Sequence, residues 1–246
     1  MLAPALLVAV AAVLVSGAVS GLVGFGFALV SVPALLLVYD PAVVISVNAA
    51  LSVFTTTTVA FDGRRDVDFR GISLLIPFAL LGIVAGVEVL RAANPDYIRI
   101  AVGVVVVISA LLLFRGVRLP GSDSRWGDVT MGGVSGVLST STGISGPPVI
   151  LLLASRGLPK RVFRANISLY FVFTSGASLV ALYLRGLVEP GHLLLAAALI
   201  PAAFAGKVGG TVLMKRFSEN AFRSLTLALI LLTGCVAAIS ALVSLL

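Results

Sequence analysis

Two stretches set 115 residues apart decide how this chain folds: Gly17 to Val38, GAVSGLVGFGFALVSVPALLLV, and Gly132 to Leu153, GGVSGVLSTSTGISGPPVILLL. Each is an apolar run interrupted near its middle, the first by Gly24-Phe25-Gly26-Phe27 and the second by Ser139-Thr140-Ser141-Thr142. Paired interruptions at corresponding places in two halves of a hydrophobic chain point to a ligand site at membrane depth.

The composition places these runs in a bilayer. Hydrophobic residues make up 59% of the 246 and charged residues 11%, against roughly half and a quarter in soluble domains; the mean hydropathy is +1.17. The net charge of +7 would suggest nucleic acid in a soluble chain, but the basic residues fall in short connections between apolar runs, where they act as topology signals. Cys235 is the single cysteine and His192 the single histidine, which excludes an internal disulfide and a Cys- or His-rich metal set. No Lys or Arg precedes the first apolar run, so the basic start of a cleavable signal is missing and the segment is expected to stay in the mature chain.

Runs long enough to cross a hydrocarbon core of about 30 Å occupy residues 41 to 61, 71 to 90, 98 to 114, 159 to 184, 190 to 214 and 221 to 246. The two interrupted segments, 2 to 39 and 127 to 155, are ambiguous: each is broken by small polar or glycine residues, and the second leaves only about ten apolar residues on either side, which cover about 15 Å as helix. Connection charges resolve the ambiguity. If both segments dip in and return, Arg64, Arg65, Arg70, Arg115, Arg118, Arg125, Arg156, Lys160, Arg161, Arg164, Lys215, Arg216 and Arg223 fall on one side and only Arg91, Arg99 and Arg185 on the other. Single crossings would divide them almost evenly. The excess of basic residues belongs to the cytoplasmic side, so the expectation is six crossings, two re-entrant hairpins entering from opposite faces, and both termini outside, in a cell membrane.

The internal repeat extends past the breaks. Gly17, Val19, Ser20, Gly21, Pro33, Leu36 and Leu37 recur 115 residues on, Pro41, Asn48, Leu51 and Thr56 recur 118 on, and Pro77, Gly82, Val84, Gly86 and Arg99 recur 124 on. The offset grows only at connections. Each unit holds three crossings, an odd number, so the second must be inverted. The predicted fold is an all-α polytopic membrane protein of two inverted repeats about a pseudo-two-fold axis in the membrane plane, residues 1–114 and 127–246, with a cytoplasmic linker at 115–126.

Candidate ligand contacts follow from the breaks, because backbone at membrane depth is tolerated only where protein or water covers it. Ser145-Gly146-Pro147-Pro148 resembles a helix start, with Ser145 as cap and proline in the first turn. Gly26-Phe27 begins the equivalent half-helix, with Gly24 and Gly26 beside Phe25 allowing close backbone approach. Two positive helix ends would then converge on one anion, with Ser139, Thr140, Ser141 and Thr142 around them. Asn48 and Asn166 each follow a proline by seven residues, about 10 Å into a helix, and either bind substrate or bond the exposed backbone. Thr55 to Thr58, Thr174 and Ser175 are expected to bond their own helices. Of the charges inside spans, Lys207 is an anion candidate and Glu88 a weaker one for coupling, since it stands three residues from Arg91. Gly17/Gly21, Gly82/Gly86, Gly132/Gly136 and Gly206/Gly210 are spaced for close helix crossings. No catalytic constellation and no GxxxxGK[ST] phosphate loop is present, so neither an enzyme nor an ATP-driven pump is expected, and no cofactor or metal.

Ser20-Gly-Leu-Val-Gly-Phe-Gly-Phe with Pro33, Gly143-Ile-Ser-Gly-Pro-Pro148, and Arg156-Gly-Leu-Pro-Lys-Arg-Val-Phe-Arg164 with Asn166 resemble the TauE/SafE family of sulfite and organosulfonate exporters over nearly the whole chain. The resemblance implies secondary transport of a small sulfur-containing oxyanion such as sulfite, sulfoacetate or another sulfonate. A passive anion channel, an uptake permease and a non-transporting membrane scaffold are the alternatives. The partners implied are the small anion and membrane lipid, not nucleic acid; a homo-oligomer is compatible with the pattern. Cysteines placed singly in connections 62 to 70 and 156 to 164, with Cys235 removed, should react from the same membrane face; labelling from opposite faces contradicts the paired hairpins.

Overall fold

A computed structural model describes residues 2–115, 119 and 121–214. Among them it is all-helical: α1 (Leu2–Val23), α2 (Phe27–Leu35), α3 (Pro41–Gly63), α4 (Leu75–Ala92), α5 (Pro95–Phe114), α6 (Arg125–Ser141), α7 (Gly146–Ser155), α8 (Lys160–Leu184) and α9 (Pro190–Met214). Among the described residues five stretches are long and apolar enough to cross a membrane: Pro4–Leu22, Pro41–Asp66, Leu75–Ala92, Lys160–Leu184 and Pro190–Leu213. Leu7, Leu81, Leu184 and Leu194 are each at least two-thirds exposed, a face that a water-soluble surface would not carry and that lipid accepts. The expected crossing at 221 to 246 lies outside the described residues.

The helix boundaries show unequal arms in both broken segments, correcting the two half-length arms expected of the second. α1 runs unbroken for 22 residues, about 33 Å, because Ser16, Gly17 and Ser20 are small residues inside a helix contact and only Gly24 and Gly26, at φ of 89° and 91°, leave the helical region. α6 has 17 residues because it recruits the polar segment from Arg125, with the Ser124 hydroxyl accepting from the Trp126 amide. The returning arms are the short ones, 9 residues in α2 and 10 in α7.

Glycine determines which helices meet. A Cβ built on Gly17 or Gly21 would run into the backbone of Ala203 or Lys207, and one on Gly206 or Gly210 into Leu14 or Ala18. The same reciprocity joins α4 and α6: Gly82 and Gly86 meet Gly133 and Val137, while Gly132 and Gly136 meet Leu75 and Ala79. In both pairs residue numbers rise together across the contact, so α1 runs parallel to α9 and α4 parallel to α6. α3 and α8 pack against each other between them. All eight glycines singled out by spacing are points of backbone contact between helices.

Side-chain clasps sort the connections into two ends. At one, Asn166 Oδ1 accepts from the Asp68 amide at 2.8 Å. There the partly buried Arg156 guanidinium donates to the carbonyls of Gly71 (2.8 Å) and Ser122 (2.9 Å) and pairs with Asp128 at 2.6 Å. At the other, Arg99 pairs with Asp40 (3.3 Å), Arg185 with Glu88 (2.7 Å), and Ser46 donates to the Leu187 carbonyl (3.1 Å). The Arg-rich connections 62 to 70 and 156 to 164 therefore share an end, as the charge count requires. α1 starts and α2 finishes at the Asp40 end, whereas α6 starts and α7 finishes at the Arg156 end. The two broken segments are thus set in opposite senses, one with its outer ends near Asp40 and the other with its outer ends near Arg156.

Replacing Gly136 or Gly210 by alanine should destabilise the protein by about 1–3 kcal/mol through overpacking against carbonyl oxygens, read as a lower midpoint of thermal unfolding in detergent. Gly133→Ala and Gly209→Ala, where no atom lies within 4 Å of the added methyl, should leave it unchanged. Equal shifts in all four would contradict glycine-set helix contacts.

Candidate functional site

Both breaks open on one cavity, which together with its open mouth encloses about 550 Å³. Ser20 of α1, Phe25 and Gly26 of the first break, and Phe27, Ala28 and Leu29 of α2 form one wall. Ser139, Gly143, Ile144, Ser145 and Gly146 come from the second break and its flanking helices. α3 contributes Asn48, Ser52 and Thr56 at four-residue intervals, and α8 contributes Phe171, Ser175 and Ser178, helical spacings that put each set on one face. Among the described residues no Lys, Arg, His, Asp or Glu lines it.

The α2 end supplies free donors. Its cap is Gly26, with no side chain to offer, and its first helical bond runs from the Val30 amide to the Gly26 carbonyl at 3.3 Å. The amides of Phe27, Ala28 and Leu29 precede that bond and belong to the unsatisfied first turn. Beside them the Ser20 hydroxyl is wholly buried and has no partner, an arrangement that costs free energy unless a ligand or water satisfies it.

The α7 end differs. Ser145 was expected to cap it, but its side chain makes no cap bond. A capping hydroxyl accepts from the second or third amide of the helix, and those positions are Pro147 and Pro148, which have no N–H. Gly146 supplies the one amide of that opening turn, so the helix offers its dipole more than its donors, and the Ser145 hydroxyl is left to the cavity. α2 is the better donor of the pair.

Phe25, Gly26, Asn48, Ser139, Ser145 and Gly146 thus meet around the cavity, and six other candidates do not. Gly24 lies behind it, its carbonyl accepting from Ser168 at 3.2 Å. Thr140 donates to the Ile83 carbonyl, Ser141 to Val137 and Thr142 to Leu138, each at 2.8 Å. Asn166 is taken by Asp68, with its amide nitrogen buried and unpartnered. Lys207 is not an anion contact in this arrangement: its ammonium is 2.8 Å from Asp62, with the lysine side chain 9% exposed, so its charge is already matched. Glu88, shared between Arg91 and Arg185, is on the periphery.

Asn48 is both lining and strut. Its Oδ1 accepts from Ser31 of α2 at 2.8 Å and its Nδ2 donates to the Gly143 carbonyl at 3.1 Å, linking one half-helix to the opposite break. Ser139 and Ser178 hydroxyls pair at 2.8 Å across the wall. Sequence reasoning missed Ser20, Ser52, Phe171 and Ser178 and took Thr56 and Ser175 as structural; Thr56 does bond its own helix, donating to the Ser52 carbonyl at 2.6 Å, and also lines the cavity. The spacings 48/52/56 and 171/175/178 were the available signal. It also missed Arg164 as a half-buried cation. Arg164 Nη2 donates to the Gly21 carbonyl at 3.0 Å, its Nε is unpartnered, and its Cγ lies against Gly24. It stands beside the first break and is not among the residues that line the cavity.

No curated protein and no solved structure gives a match. A family model does, over residues 9–237, a span that contains both breaks, every cavity-lining residue and all the glycine contacts. The chain belongs to the sulfite exporter TauE/SafE family, a family of membrane transporters rather than enzymes.

Proposed function

We propose that this protein is a secondary transporter that exports a small sulfur-containing oxyanion, sulfite or an organosulfonate, by alternating access about the cavity between the two breaks. The observation that carries the reading is the meeting of an uncapped α2 first turn with the orphaned Ser20 hydroxyl and the second break. Preorganised backbone amides and a positive helix end suit an anion. Family membership supplies the sulfur chemistry and the outward direction.

The chain would be built of two inverted repeats, 1–114 and 127–246. Their support is the equivalence of contacts: α1 on α9 corresponds to α6 on α4 once the repeat offsets are applied, each through two pairs of glycines. α3 and α8 then sit on the pseudo-two-fold axis as each other's equivalents. In this reading the Arg-rich end faces the cytoplasm, both termini lie outside, and the protein resides in the cell membrane. Anion recognition falls to Phe25, Gly26, Ser20, Asn48, Ser139, Ser145 and Gly146, with Gly24 shaping the break.

In vesicles containing the purified chain, sulfite or sulfonate efflux should saturate and should be accelerated by the same anion outside. Ser20→Ala and Ser145→Ala should each raise the half-saturating concentration about 10- to 100-fold, the equivalent of a lost hydrogen bond to a charged ligand at about 1.5–3 kcal/mol. Non-saturable flux without exchange would identify a channel instead, and wild-type affinity in both variants would refute the site.

A further inference from the structure

The sulfur oxyanions differ in charge: bisulfite and simple organosulfonates carry one negative charge, while sulfite, sulfate and sulfoacetate carry two. We propose that the cavity selects the singly charged forms, so that sulfite is carried as bisulfite and an organosulfonate is accepted when its organic part is uncharged. The proposal rests on the cavity being the anion site and deepens that reading.

Three observations combine. First, the positive charge facing the cavity comes from helix ends. Each such end is equivalent to about half an elementary charge, so α2 and α7 together match about one negative charge. The cost of removing an ion from water scales with the square of its charge, so a dianion loses roughly four times the solvation of a monoanion. Nothing in the lining offsets the difference.

Second, the charged and titratable groups on the surrounding helices are placed elsewhere. On α3, Asp62 is paired with Lys207 of α9 at 2.8 Å. On α6 Asp128 is paired with Arg156. On α8, Arg164 donates to Gly21 beside Gly24, and Tyr170 bonds the Ser135 hydroxyl at 2.8 Å. The described residues of α1, α2 and α7 carry no charged side chain. Arg164 adds to the positive potential of the break without touching a ligand in the cavity.

Third, the lining combines hydrogen-bond donors with uncharged rings. Ser20, Ser145 and the α2 amides would hold three sulfonyl oxygens, while Phe25, Phe27 and Phe171 offer an apolar wall. A monoanion whose fourth group on sulfur is uncharged, the hydrogen of S-protonated bisulfite or the carbon of a sulfonate, presents three oxygens to those donors and its uncharged group to the rings. A second anionic group pressed against the rings would be neither solvated nor paired.

The test uses the full chain in vesicles. At fixed total sulfite, initial flux should fall roughly tenfold as pH rises from one unit below neutrality to one above, following the loss of bisulfite. Methanesulfonate, singly charged throughout, should be carried at a rate independent of pH and should compete with sulfite. Sulfate, doubly charged throughout, should be neither carried nor competitive. Sulfite flux that is flat or rises with pH, or sulfate carried as fast as methanesulfonate, overturns the charge selection. Ser20→Ala and Ser145→Ala separate the two levels. If both raise the half-saturating methanesulfonate concentration while sulfate is carried equally, only the charge inference falls. If neither alters it, the cavity itself is not the site.

Discussion

Backbone groups exposed at membrane depth must be satisfied inside the protein, and this constraint organises the whole site. Two breaks release carbonyls and amides where lipid offers no partner. The carbonyls are covered by side chains from other elements: Gly24 by Ser168, Gly143 by Asn48 and Ser145 by Ser135. The amides at the start of α2 are not covered in the same way, because Gly26 has no side chain and Ser20 only stands nearby. A cavity lined by unspent donors is what remains when acceptors are matched and donors are not, and its natural guest is an anion.

That matching also explains why the halves of the molecule cannot move independently. Asn48 belongs to the first half but holds Gly143 of the second, and Ser168 of the second half holds Gly24 of the first. The glycine contacts do the same at larger scale, joining α1 to α9 and α4 to α6 with no room for a methyl group. Motion that opens one break must therefore disturb hydrogen bonds at both, a mechanical coupling suited to exposing a central site to one side at a time.

Much of this was legible in the sequence, for physical reasons. Gly24, Gly26, Gly143, Pro147 and Pro148 disrupt helices whatever surrounds them, so the breaks could be read directly, and small residues four apart announced the helix contacts. Side-chain partners depend on what distant connections do, and there the repeat misled. Asn48 and Asn166 hold equivalent positions, yet only Asn48 reaches the cavity. After α3 the chain makes two short 3-10 turns before α4, and the second of them folds back to place Asp68 over Asn166, whereas the α8–α9 connection is short and engages Ser46 instead. Lys207 was misread for a similar reason: Asp62, 145 residues away, carries no local mark of being its partner. The cap expected from Ser145 failed for a cause that was visible, since the prolines following Gly146 remove the amides it would need.

The central claim is that both breaks face a single occupant. Its most direct test is ligand protection in full-length protein lacking Cys235, with one cysteine at Ala28, in the first turn of α2, or at Ser145, in the second break. Methanesulfonate, which does not react with thiols, should slow modification by a neutral maleimide at both positions and leave a cysteine at the exposed Thr130 unaffected. Protection at only one of the two breaks, or at neither, would contradict the account.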